Sequence, residues 1–106
     1  MDIVDFVRTN SDIQFFSYKG TNFQYYDVED KEWSELTDIL LKKYPVWRRK
    51  FTGGMVYGDQ IYIKKSRKLF RKRLILHEIG HVLGYQHTWK PTIMNPSWLF
   101  RWLNRW

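Results

Sequence analysis

The only three histidines of the 106-residue chain fall within eleven consecutive positions, His77 to His87, which read HEIGHVLGYQH. Their spacing is HExxHxxGxxH, with Glu78 directly after the first. On a helix, His77 and His81 are separated by about 400° of rotation and roughly 6 Å of rise, so both imidazoles leave one face and can share a metal ion. A third histidine ten positions after the first lies about 15 Å along the axis of a continuous helix, far outside a Zn–N bond of roughly 2.0–2.1 Å. The helix therefore has to stop. Gly84 stands between His81 and His87, where a residue able to take a left-handed conformation ends a helix and turns the chain back. His87 then reaches the metal.

Three neutral nitrogen ligands leave a tetrahedral zinc ion one open position for water, the arrangement of catalytic rather than structural sites. Zn²⁺ is the expected cofactor. Glu78, one residue after a ligand, lies about 60° from the His81 direction on the helical wheel. A carboxylate there accepts the proton of zinc-bound water and later passes it to a leaving amine, while the metal polarises the carbonyl. A bare HExxH is weak, because histidine and glutamate are ordinary on amphipathic helices. Five specified positions occur by chance in a chain this short with a probability on the order of 10⁻⁵ to 10⁻⁴, at about one in twenty per position.

HExxHxxGxxH followed by Thr92, Ile93, Met94, Asn95 and Pro96 resembles the metzincin clan of zinc endopeptidases, with Met94 in the position of the clan's Met-turn. The short step from His87 to Met94 is most similar to matrixin-like members. The resemblance covers about Leu74 to Pro96 and implies His77, His81 and His87 as zinc ligands, Glu78 as general base, and Met94 as the hydrophobic floor under the metal. It also implies an antiparallel edge strand lining the cleft shortly before the zinc helix, for which Gly54, Met55, Val56 and Tyr57 are the candidate. Such a strand binds an extended or unfolded polypeptide through backbone hydrogen bonds. Pro96 stands where several metzincin families place a tyrosine, so no tyrosine switch is expected from that position.

The elements around the motif follow from pattern. Ile13 to Tyr18 and Asn22 to Tyr26 read as strands, a hairpin about Lys19, Gly20 and Thr21. The first twelve residues are ambiguous. Asp27 is a candidate N-cap for a first helix, whose stripe Trp33, Leu36, Leu40 and Tyr44 ends at Pro45. Val46 to Phe51 reads as a strand. Met55 to Tyr57 and Gln60 to Lys64 flank Gly58 and Asp59 as a tight hairpin. The second helix is expected from about Ser66 or Arg67 to Leu83, with Ile75, Leu76, Ile79, Val82 and Leu83 opposite the His77, Glu78 and His81 arc. Lys68 and Lys72 fall on the apolar arc, so its first turns either overhang the core or are not helical. After Asn95 and Pro96, the stripe Trp98, Leu99, Trp102, Leu103 and Trp106 reads as a short C-terminal helix. The expected fold is α+β: a small mixed β-sheet packed on an active-site helix, in one metzincin-like domain over residues 1–106.

Composition sets bounds on function. Six Trp, seven Tyr and seven Phe supply large buried areas to a chain of this length, which buries only about 60% of its unfolded surface. The absence of cysteine excludes disulfides, thiolate zinc ligands and thiol nucleophiles. The start MDIVDFVRTNSD has early acids and no long apolar run, so a cytoplasmic start without a signal peptide is expected, with release by lysis or signal-less export as alternatives. No run reaches the length of a transmembrane helix. A monomer is the expected state.

Residues 1–38 carry three Lys or Arg against nine acids, and residues 39–106 carry fifteen against two. Seven of the ten residues from Lys64 to Arg73 are basic. Positive charge is unfavourable at a helix N-terminus by a few tenths to about 1 kcal/mol each, so local helix stability does not account for the run. It is either a solvated face or a surface for an anionic partner. The best reading is a zinc-dependent endopeptidase. The alternatives are a zinc hydrolase of a nonpeptide amide and a nucleic-acid-associated zinc protein anchored by Lys64 to Arg73.

Overall fold

The run Gln60–Lys64 is apolar at three successive positions, Ile61, Tyr62 and Ile63, and all three are buried. A strand with no polar face needs cover on both sides, and it therefore sits inside the sheet. The computed structural model describes residues 2–85. Within them the order of elements is α1 (Ile3–Asn10), β1 (Asp12–Tyr18), β2 (Thr21–Val28), α2 (Asp30–Leu40), α3 (Val46–Phe51), β3 (Gly54–Tyr57), β4 (Gln60–Lys64) and α4 (Arg71–Val82). The strands lie in the order β1-β2-β4-β3. β1 pairs β2 and β3 pairs β4 antiparallel, and β2 pairs β4 parallel, so the sheet is mixed.

Alternation along the strands divides the core between two layers. On one face Tyr26, Tyr62 and Met55 meet Val7 of α1 and Trp33 and Leu36 of α2. Tyr26 and Tyr62 stack at 5.3 Å, and Arg8 Nε donates to the buried Tyr62 hydroxyl at 2.8 Å. On the other face Tyr25, Ile61 and Ile63 meet Leu74, Ile75 and Ile79 of α4. Burying those three helix residues contributes roughly 1.5–3 kcal/mol each, enough to hold α4 flat on the sheet. The α+β class, the mixed sheet and both hairpins agree with the sequence reading.

Three local expectations change, and one ambiguity resolves. Residues 46–51 form a short helix, not a strand. Pro45 accepts its first helical hydrogen bond, from Arg49 N, and three cations in succession suit neither face of a sheet. Val46 and Trp47, which suggested a strand, are exposed. Asp27 is not an N-cap: it lies within β2, opposite Ile63, and α2 begins after Glu29. The ambiguous N-terminus is a helix, capped by the Asp2 carboxylate accepting from Asp5 N at 2.9 Å. The second predicted helix, α4, starts at Arg71 rather than at 66 or 67, after Phe70 in a left-handed conformation with φ 55°. Lys68 therefore precedes the helix. His87, Met94 and the predicted C-terminal helix lie outside the described residues.

One ion pair accounts for both the Asp27 and the α4 corrections. Arg71 Nη2 donates to Asp27 Oδ1 at 2.6 Å, while its Nη1 donates to the carbonyls of Arg67 and Lys64 at 2.7 and 3.2 Å. The guanidinium also lies 5.8 Å from the Tyr25 ring centre. A single side chain thus ties the end of β2 to the loop and to the first turn of α4. Elsewhere in the basic run, Lys65 Nζ donates to both Asp12 and Glu29 at 2.9 Å, which holds its ammonium pKa above the ordinary range. Replacing Arg71 by Met strands a buried carboxylate and is expected to lower stability by about 2–4 kcal/mol. Lys65→Met, whose partners are solvated, is expected to shift the midpoint far less. Urea unfolding of both variants checks the contrast.

Candidate metal centre

Helix α4 reads RKRLILHEIGHV, and its apolar positions 74, 75 and 79 fix its rotation on the sheet. That rotation brings His77, Glu78 and His81 to the side beside β3. His77 is wholly buried, Glu78 is 3% exposed, and His81 is half-buried. The two Nε2 atoms lie 3.1 Å apart, with ring planes nearly perpendicular at 89°. Nitrogens bound at roughly 2.0–2.1 Å to one ion in ideal tetrahedral geometry stand about 3.3–3.4 Å apart. The observed spacing is slightly tighter, so this pair of donors fits a shared zinc ion with only a small adjustment.

The end of α4 sets the chemistry of His81. Gly84 has φ +94°, its N–H donates to the His81 carbonyl at 3.0 Å, and Tyr85 N–H donates to the Gly80 carbonyl at 2.9 Å. These two bonds form a Schellman motif, the turn anticipated from Gly84. The Tyr85 carbonyl, carried round by that turn, lies 3.1 Å from His81 Nδ1. A carbonyl only accepts, so Nδ1 carries the proton and the neutral ring presents its Nε2 lone pair toward His77. Burial lowers the His81 pKa, with the Tyr85 bond acting in the opposite sense, and the neutral ring is favoured.

Glu78 lies under the edge strand. A Cβ on Gly54 would meet Glu78 Oε2 at 3.1 Å and Cγ at 3.2 Å, so the carboxyl rests against bare backbone. Burial raises its pKa to about 8. A carboxyl poised near neutrality can both take up and release a proton. Gly54, Met55 and Val56 line a cleft of about 410 Å³ together with Glu78 and His81. Its other lining residues are Leu40, the last residue of α2, and Leu41, Lys43 and Tyr44 just after it. Those wall residues were read from sequence as core stripe or not at all, since helical spacing gives no sign that a stripe runs past its sheet. Tyr57 does not line the cleft and is exposed.

Among the described residues no group of three His, Cys, Asp or Glu side chains could hold a metal. The two that converge are His77 and His81, and the third predicted ligand, His87, lies beyond residue 85 together with Met94. No helix among the described residues is long and apolar enough to cross a membrane.

The close approach at Gly54 is testable without any assay of activity. Gly54→Ala is expected to destabilise the fold by about 1–3 kcal/mol through overpacking against Glu78 and Ile63. In a Glu78→Ala background the penalty should shrink by about 1 kcal/mol, and strict additivity in a double-mutant cycle would contradict the contact. Comparison of the chain with protein-family models, with curated proteins and with solved structures finds no match.

Proposed function

We propose that this chain is a zinc-dependent endopeptidase of metzincin type, with His77, His81 and His87 as the residues that would hold the metal and Glu78 as general base and then acid. The observation that carries the reading is the convergence of three features at one point. Two imidazole Nε2 atoms stand 3.1 Å apart, a buried carboxyl follows the first of them in sequence, and that carboxyl and the His81 ring line a cleft beside a sheet edge.

Each residue has a definite task. The Schellman turn holds His81 in the tautomer whose Nε2 is free to bind, and it reverses the chain two residues before His87. Bound to these nitrogens, zinc supplies Lewis acidity toward a carbonyl oxygen and toward water. Glu78 takes the proton of the attacking water and returns it to the leaving amine nitrogen as the peptide bond breaks. Among the described residues β3 is the last strand of its sheet, and the backbone groups on its outer side suit an extended segment of substrate. Backbone pairing of this kind selects an unfolded chain and is indifferent to most side chains. It favours a peptide over a small nonpeptide amide, which has no backbone to add to a strand.

The nucleic-acid alternative loses ground for a physical reason. Of the seven cations between Lys64 and Arg73, Lys65 pairs with Asp12 and Glu29, Arg71 pairs with Asp27, and Arg67 packs against Gly53. Those three are committed within the fold.

Zinc content and cleavage of an unfolded protein should be measured on the same preparations. The expected result is one zinc per chain, with cleavage that falls by about 10²–10⁴ in Glu78→Gln while zinc is retained. His77→Ala is expected to lose both. Cleavage that survives Glu78→Gln undiminished, or a chain that takes up no zinc, would sink the proposal.

A further inference from the structure

The sheet has a second free edge, and it is unlike the first. β1 spans seven residues, Asp12–Tyr18, and pairs with β2 in unbroken register from Asp12 opposite Asp27 to Tyr18 opposite Thr21, without a bulge. Its sequence, DIQFFSY, has no Lys, Arg, Pro or Gly. Natural sheets guard their edges with short strands, lysines, prolines, bulges or a covering element. β1 has none of the first four, and among the described residues no strand lies beyond it. It also exposes large apolar side chains, with Ile13 47% and Phe15 65% accessible.

We propose that β1 is a self-pairing edge, through which two copies of this chain join antiparallel with Phe15 on the two-fold axis. The register follows from the backbone. Lys19 and Gly20, at φ 49° and 80°, form the two-residue turn of the β1–β2 hairpin, so Tyr18 and Thr21 are a hydrogen-bonded pair. Hydrogen-bonded and non-bonded pairs alternate from there, which commits the backbone groups of Phe16, Gln14 and Asp12 to β2 and points those of Ser17, Phe15 and Ile13 outward. Two such edges meet with every outward group paired when Phe15 faces Phe15 and Ile13 faces Ser17. The same arrangement is centred on the strand, so all seven residues overlap.

The side chains suit that register. Ile13 and Phe15 share the face that carries Tyr26, and Ile13 of one copy lies diagonal to Phe15 of the other, within reach of a large ring. At each end Asp12 of one copy, its carboxylate already held by Lys65, faces Tyr18 of the other, so no like charges meet across the pair. The product is an eight-stranded sheet whose outer strands are the two copies of β3. At roughly 4.8 Å per strand those strands stand about 34 Å apart, and both clefts stay open. This proposed state is an alternative to the expected monomer, and it is independent of whether the chain is a protease.

The absence of cysteine makes the test direct. Facing residues of a hydrogen-bonded antiparallel pair have Cα atoms about 5.5 Å apart, inside the disulfide range. The full chain with Phe15→Cys is therefore expected to form a disulfide-linked dimer under mild oxidation at least about ten times faster than with Gln14→Cys, whose side chain leaves the opposite face. In sedimentation equilibrium the unmodified chain is expected to move from 13.1 kDa toward twice that mass as concentration rises, and Phe15→Lys to remain monomeric. A chain that stays monomeric at every concentration, a dimer that survives Phe15→Lys, or cross-linking as fast at position 14 as at 15 would overturn the proposal. Should Phe15→Lys fail to fold, the two cysteine variants decide alone.

Discussion

Helix α4 has to bury two incompatible faces, and the rest of the structure depends on how that is managed. Leu74, Ile75 and Ile79 require the sheet, while His77 and Glu78, equally buried, require polar surroundings. A helix held only by its apolar stripe can roll by a fraction of a turn at little cost, because hydrophobic burial is not directional. The fixed points lie at its two ends. At the start, the Arg71 guanidinium fixes the first turn to the end of β2 and to the carbonyls of Lys64 and Arg67. At the finish, the Gly84 turn fixes both the last carbonyls and, through Tyr85, the ring of His81. Orientation of the imidazoles is thereby set by directional bonds, and the apolar face supplies the adhesion.

The charge asymmetry of the chain reads differently in this light. The acid-rich first third and the basic remainder meet across the β2–β4 junction, where Asp12, Asp27 and Glu29 receive Lys65 and Arg71. The late start of α4 leaves Arg71, Lys72 and Arg73 in its first turn, at the unfavourable end of its dipole, so what the start secures is contact and not helix electrostatics. The turn through a left-handed Phe70 sends Arg67 toward Gly53 and frees Arg71 for Asp27. Strain at one non-glycine residue, of order 1–2 kcal/mol, is offset by a buried ion pair with three further contacts.

Much of this was legible in the sequence wherever local chemistry dictates geometry. Gly84 had to be left-handed because no other residue between His81 and His87 tolerates that conformation as cheaply, and the Gly58-Asp59 hairpin needed only its two turn residues. What escaped were properties decided by partners far along the chain. Asp27 looks like a cap from its neighbours and is an ion-pair acceptor only because residue 71 folds back onto it. Val46 and Trp47 look like strand from composition, but Pro45 and the cations that follow favour a turn of helix. That Leu40 and Tyr44 pass from core stripe to cleft wall depends on where β3 ends, which helical spacing does not record.

The two edges of the sheet illustrate why the polarity of strand order matters as much as its membership. β3 has four residues, opens at Gly54 directly after Gly53, and its Cα surface at Gly54 is occupied by a carboxyl. So short a strand offers few ladder bonds to a second copy, and any chain that pairs there must come to rest beside Glu78. β1 is nearly twice as long, carries exposed Ile13 and Phe15, and lies three strands from α4's histidines. In the proposed reading the same backbone valence serves two purposes, transient pairing where the strand is short and stable pairing where it is long. The separation is enforced by the parallel β2–β4 pairing, because that crossover, routed through α2, α3 and β3, is what puts the N-terminal hairpin at the opposite side of the sheet from the cleft. Had β2 paired beside β3 instead, the hairpin would cover the cleft edge, and the buried carboxyl at Gly54 would face protein and no open groove.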